Sequence, residues 1–133
     1  MTEEERRAVE ADCERLIKHY VNLNDAQDWP AVAALYTADA VFRRPSGGDP
    51  IAGREAILAS FLARPARAQR HVMANVVVEA DDADHARAFS IIVLYQGDPS
   101  PGGELPAMSA NSPLVGTFTD KLVRTAGAPP VAN

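Results

Sequence analysis

The stretch QRHVMANVVVEADDADHARAFSIIVLY, residues 69–95, decides the fold. It contains two runs rich in valine, isoleucine and aromatic residues, Gln69–Ala80 and His85–Tyr95, joined by Asp81-Asp82-Ala83-Asp84. Short polar residues between two such runs read as a tight antiparallel hairpin. A third strand is expected at Leu114–Thr125. Before it runs Gly97–Pro113, a long segment with prolines at 99, 101 and 106, read as a lid, a rim or a mobile loop.

Upstream of this meander the signals are helical. Thr2 followed by Glu5 fits a capping box, in which hydroxyl and carboxylate each satisfy a free main-chain N–H. Val9, Cys13, Leu16, Ile17, Tyr20 and Val21 follow in steps that mark one face of a long helix, ended by Asn24–Asp28. Asp28 can cap a second helix that tolerates Pro30 in its first turn and buries Trp29, Val32, Ala33, Leu35 and Tyr36. Asp39–Arg44 reads as a short strand and Pro45–Pro50 as a turn. Gly53 precedes a third helix, Arg54 to Leu62, which stops before Pro65. Helices first and a strand meander last imply an α+β fold, with a curved antiparallel sheet whose concave face packs on the helices. No linker or repeat interrupts residues 1–133, so a single domain is expected.

Composition narrows the function. The chain has 133 residues, 47% hydrophobic and 23% charged, with a net charge of −5. A negative field disfavours nucleic acid and anionic membrane as partners. The one cysteine, Cys13, forms no internal disulfide and falls in the apolar stripe of the first helix. The polar, acidic N-terminus and the lack of a spanning apolar run point to a cytoplasmic protein. His19, His71 and His85 lack metal-ligand spacing, and neither a nucleophile elbow nor a phosphate-binding glycine loop is present, so no metal and no cofactor are expected.

Three polar positions are candidates for chemistry. Strict alternation along Gln69–Ala80 puts His71, Met73, Asn75 and Val77 on one face and Val72, Ala74, Val76 and Val78 on the other. His71 and Asn75 then face either a pocket or solvent. Asp25 lies at the edge of the first helix's buried stripe, so it either faces that pocket or serves the turn. Asp120 shares a face with Leu114, Gly116, Phe118, Leu122 and Arg124, and is either a buried acid or the partner of Arg87 or Arg124. Arginines 43, 44, 54, 64, 67 and 70 crowd one region, which reads as a solvated rim or an anion-binding surface.

Several stretches resemble the SnoaL-like family of the nuclear-transport-factor-2-like superfamily. These are Tyr20–Trp29, Leu35–Phe42, Gly53-Arg54-Glu55-Ala56-Ile57, Arg70-His71 with Asn75, and Gly116–Asp120 with Arg124, spanning residues 10 to 125. The resemblance implies a cone-shaped α+β barrel whose sheet wraps three N-terminal helices around an apolar pocket. Relatives include polyketide cyclases, ketosteroid isomerases and scytalone dehydratase, together with non-catalytic subunits. In the dehydratase branch an aspartate ahead of x-x-Asp-Trp works with a histidine on a following strand, and these positions match Asp25 and His71. The resemblance implies a cofactor-independent lyase or isomerase acting on a small apolar carbonyl compound, with Tyr20, Trp29, Asn75, Tyr95, Phe118 and Asp120 as substrate-binding candidates. The dehydratase's second pocket histidine has no equivalent; Tyr95 lies near its place. The alternative is a non-catalytic ligand-binding or accessory domain, which predicts Asp25 and His71 too far apart to hydrogen-bond, or a pocket filled by side chains. A homodimer through the exposed sheet face is also expected, with Val72, Val76 and Val78 contributing. The ending Gly127–Asn133 departs from the family, since adjacent Pro129 and Pro130 cannot sit in the usual closing strand.

Overall fold

The computed structural model describes residues 1–44, 47–98 and 112–125. The expected long loop and the tail 126–133 fall mostly or wholly outside them. The first helix, α1, runs Glu3–Asp25. Its capping box is formed: Thr2 Oγ1 accepts from the Glu5 N–H at 3.1 Å, and the Glu5 carboxylate accepts from the Thr2 N–H at 2.7 Å. Three glutamates in the first turn also suit the positive end of the helix dipole. At the other end Gln27 takes φ 58°, its N–H bonds to Asn24 O, and the Asp28 N–H bonds to Leu23 O. That pair of bonds is a Schellman ending, here with glutamine in the place glycine usually takes. It stops α1 at Asp25 and lets Asp28 cap α2 (Trp29–Ala34) through the Ala31 N–H.

The short strand was expected, but its partner was not. Strand β1 (Val41–Phe42) pairs antiparallel with β2 (Ile51–Ala52). Gly53, at φ 94°, turns the chain from β2 into α3 (Arg54–Leu62) while donating its N–H to Ala40 O at 2.7 Å. A side chain at this φ would be strained, which explains the glycine. Helices α2 and α3 and this hairpin share one core, with Val32, Ile57 and Phe61 at its centre and Tyr20, Trp29, Tyr36 and Phe42 around it.

Strands β3 (Ala68–Ala80), β4 (His85–Gly97) and β5 (Leu114–Val123) form an antiparallel meander in the order β3-β4-β5. The α+β reading therefore holds, with an open sheet rather than a closed barrel among the described residues. A second core forms where Val9 of α1 meets Ala80 and Ala86, backed by Cys13, Val78 and Leu122. Polar groups of α1 also reach β3. Arg6 donates to Ala80 O at 2.8 Å, and Asp25 accepts from the His71 N–H at 2.9 Å. A helix placed this way satisfies main-chain groups that β3, an edge strand, would otherwise leave open.

One irregularity corrects the expected alternation. Ala74 pairs with Ile91 but Val77 pairs with Phe89, so Asn75 and Val76 both oppose Ser90. This is a β-bulge, with Asn75 at φ 51°, a left-handed conformation that asparagine tolerates better than most residues. The extra residue swaps the faces. His71 and Met73 stay on the helix side, Asn75 is exposed, and Val76, Val78 and Ala80 turn inward. Of the three valines expected on the outer face only Val72 is there, with exposed Val77 and Phe89 further along.

Candidate functional site

The C-terminus of α1 and the start of β3 hold the most ordered polar cluster. Asn24 is buried; its Nδ2 donates to Tyr20 O at 3.0 Å and its carbonyl accepts from Gln69 Nε2 at 2.9 Å. Gln27 Nε2 donates to Arg67 O. These contacts fasten the helix end to the strand on both sides of Asp25. Asp25 then grips one residue twice: Oδ2 accepts the His71 main-chain N–H at 2.9 Å, and Oδ1 lies 2.5 Å from His71 Nδ1. The two side chains are only 3% and 11% exposed, so water does not screen the contact. An ionised carboxylate can only accept, so Nδ1 carries the proton of this contact, and in the neutral imidazole that tautomer leaves Nε2 as the base.

A second cluster lies inside the same layer. Tyr20 of α1 and Tyr36, just beyond α2, place their hydroxyls 2.6 Å apart, with the rings edge-on at 81°. Burial pushes both phenols above their ordinary range, and the nearby Asp120 pushes the same way. Asp120 sits opposite Ala88 on the inner face of β5. Burial pushes its carboxyl up as well. The expected pairing of Asp120 with Arg87 or Arg124 does not occur. Arg87 binds Glu79 and Asp81, and Arg124 binds Asp84 and the Ala83 carbonyl. The two phenol hydroxyls are donors suited to an oxygen on which negative charge builds.

The remaining candidates divide by face. Phe118 lies on the inner face opposite Ser90. Trp29 stacks on Phe61 at 5.3 Å and 12°, inside the helical core. Asn75 sits in the bulge and is exposed. Tyr95 is exposed and pairs with Arg70, and alternation puts both on the face opposite His71. The structure thus brings Asp25 to His71 and Tyr20 to Tyr36, and brings neither Asn75 nor Tyr95 to them. Sequence reading did not single out Tyr36, because a residue 16 positions from Tyr20 on another element gives no spacing cue. Nor did it find Ser90, whose fully buried Oγ has no hydrogen-bond partner among the described residues.

Surface hollows are formed by described residues, none of them deep. One, of about 240 Å³, includes Val77, Arg87, Phe89 and Thr119; another lies beside the start of α3, and neither includes Asp25 or His71. Among the described residues no group of three or more His, Cys, Asp or Glu could hold a metal ion. No helix among them is long and apolar enough to cross a membrane.

The SnoaL-like domain family matches residues 5–128. The chain belongs to that family. Solved structures agree with the assignment at the level of fold. A putative scytalone dehydratase from Novosphingobium aromaticivorans is 18% identical, with a TM-score of 0.68 over 88% of this chain and 74% of its own. A ketosteroid isomerase-like protein from Erwinia carotovora is 21% identical, with 0.66 over 87% and 84%. An NTF2-like protein of unknown function from Pseudomonas putida is 20% identical, with 0.71 over 92% and 80%. No curated protein matches the chain in sequence. The SnoaL-like chain therefore shares its NTF2-like fold with proteins described as dehydratase and isomerase-like.

Proposed function

We propose that this SnoaL-like protein is a cofactor-independent lyase or isomerase acting on a small, largely apolar carbonyl compound. The observation that carries the reading is the buried 2.5 Å contact between Asp25 and His71. Asp25 orients the imidazole, and Nε2 takes a proton from the carbon next to the substrate carbonyl. The C–H electron pair moves into a carbon–carbon double bond and the carbonyl oxygen becomes an enolate. The Tyr20–Tyr36 pair donates to that oxygen. The protonated His71 then returns its proton. Returned to another carbon it completes an isomerisation; delivered to a departing hydroxyl it releases water and completes a dehydration.

The non-catalytic alternative expects Asp25 and His71 to stand apart or the pocket to be filled by side chains, and the hydrogen bond does not favour the first of these. Substituting His71→Ala should abolish turnover of an identified substrate and leave the circular dichroism spectrum unchanged. Full turnover by the folded variant would remove His71 from the mechanism.

A further inference from the structure

The arginines crowded between residues 43 and 70 do different things in the structure. Arg64 lies over the Phe61 and Trp29 rings, and Arg67 reaches the Gln96 side chain at 3.3 Å. Arg54 is the one tied to the tyrosine pair. It occupies the first position of α3, behind Gly53, at the positive end of the helix dipole, where a cation is disfavoured. It is exposed and makes no ion pair among the described residues, so neither core packing nor a counter-charge accounts for its placement. Two hydrogen bonds do. Nε and Nη2 both donate to the Tyr36 main-chain carbonyl, at 2.8 and 2.5 Å.

Tyr36 lies one residue past Leu35, the C-cap of α2. Carbonyls at a helix C-terminus lack intrahelical donors and carry partial negative charge, so a guanidinium suits them. Among the described residues no other donor reaches this oxygen. The Gly53 N–H bonds to Ala40 O at 2.7 Å and the Arg54 N–H to Ala38 O at 3.1 Å. The start of α3 thus clamps the segment 36–40, and the Arg54 side chain extends the clamp to Tyr36. Its planar fork grips the carbonyl with two donors of one rigid group, which a lysine ammonium cannot do.

The clamp acts on a hydroxyl. The Tyr36 ring packs edge-on against Tyr20 at 5.8 Å and against Phe42 at 6.3 Å, and its hydroxyl lies 2.6 Å from that of Tyr20. That distance is at the short end of the range for O–H···O, so a small displacement weakens the bond. The hydroxyl is also the part of the ring farthest from the main chain, so a tilt at the Tyr36 backbone moves it most.

We propose that Arg54 is a positioning residue: by holding the Tyr36 carbonyl it sets the Tyr20–Tyr36 hydroxyl pair. Its effect on the reaction passes through Tyr36, and Arg54 itself touches no reacting atom. The inference rests on the proposed function for the use made of the pair, but not for the hold on it.

One test needs no substrate. The chain has three tyrosines, so tyrosine labelled with carbon-13 at Cζ gives three NMR signals, assigned with phenylalanine variants. Arg54→Met removes both donors and keeps a stem. It should shift the Tyr20 and Tyr36 signals and leave that of Tyr95 in place, and Arg54→Lys should shift them less. Unchanged Tyr20 and Tyr36 signals in Arg54→Met would overturn the proposal. The other test is deuterium exchange into 2-tetralone. Arg54→Met should lower kcat about tenfold at unchanged KM, short of the loss of about a hundredfold expected when Tyr36→Phe removes a donor outright. In the Tyr36→Phe background Arg54→Met should cost nothing further, whereas an arginine that only supports the fold would cost the same in both. Equal losses in the two backgrounds would also overturn the proposal. Shifted signals in a protein that exchanges nothing, or that exchanges equally well as Tyr36→Phe, would instead overturn the catalytic use of the pair and leave its hold by Arg54 standing.

Discussion

Asp25→Ala gives the sharpest stability prediction. The carboxylate accepts two hydrogen bonds from His71, at 2.9 and 2.5 Å, and its side chain is almost fully buried. Hydrogen bonds to a charged group are worth about 1.5–3 kcal/mol each. Truncation removes both and leaves the edge-strand N–H of His71 without its acceptor, while also sparing the cost of burying the charge. A net loss of about 3 kcal/mol follows. Unfolding entropy of about 2.1 cal/mol/K per residue over 133 residues is about 0.28 kcal/mol/K, so the melting temperature should fall by about 11 °C. Asp25→Asn keeps one acceptor oxygen but faces the other bond with an amide N–H, so it should lose about half as much. Thermal melts followed by circular dichroism measure both. Nitrogen NMR of the His71 ring supplies a second readout, since the alanine variant should lose the fixed Nδ1–H tautomer. An alanine variant melting within about 2 °C of the wild type, with the tautomer intact, would refute the reasoning.

Other perturbations follow from the same geometry. Tyr36→Phe leaves the buried Tyr20 hydroxyl without its 2.6 Å partner and should cost about 1 kcal/mol, or about 4 °C in a thermal melt. Burial raises the Asp120 pKa above its ordinary 3.8, so the native state holds that proton more tightly than the unfolded chain. Its contribution is therefore fully present below that value and is lost as pH rises through the folded pKa. Asp120→Asn should accordingly melt higher than the wild type at pH 7, with the gap closing as pH falls towards 4. At the bulge, Asn75→Gly should leave stability unchanged or slightly raised, whereas Asn75→Val should cost about 1–2 kcal/mol, because φ 51° is strained for a β-branched residue; urea unfolding would measure both.

The helix and strand order was legible because each signal is local. Thr2 and Glu5, Asp28 before Trp29, and the acidic turn between β3 and β4 act within a few residues of themselves. The bulge was not legible. Nothing in Met73-Ala74-Asn75-Val76 announces an extra residue, since its cause is the register imposed by β4. That single insertion moved Asn75 out and Val76 in. The pair Asp25–His71 was legible only through a resemblance, because 46 residues separate its members. Tyr36 escaped as an individual site residue for a related reason: it looks like an ordinary helical core aromatic, and gains its meaning from the Tyr20 hydroxyl that the tertiary fold sets beside it.

Proton abstraction by His71 is the central claim, and solvent exchange tests it most directly. The full chain is incubated in deuterium oxide with 2-tetralone, a small apolar ketone, and label entering next to the carbonyl is followed by proton NMR. The account predicts incorporation well above the buffer rate for the wild type, reduced to the buffer rate in folded His71→Ala and strongly reduced in Asp25→Asn. Incorporation by His71→Ala at the wild-type rate, or none above buffer by the wild type, would contradict it.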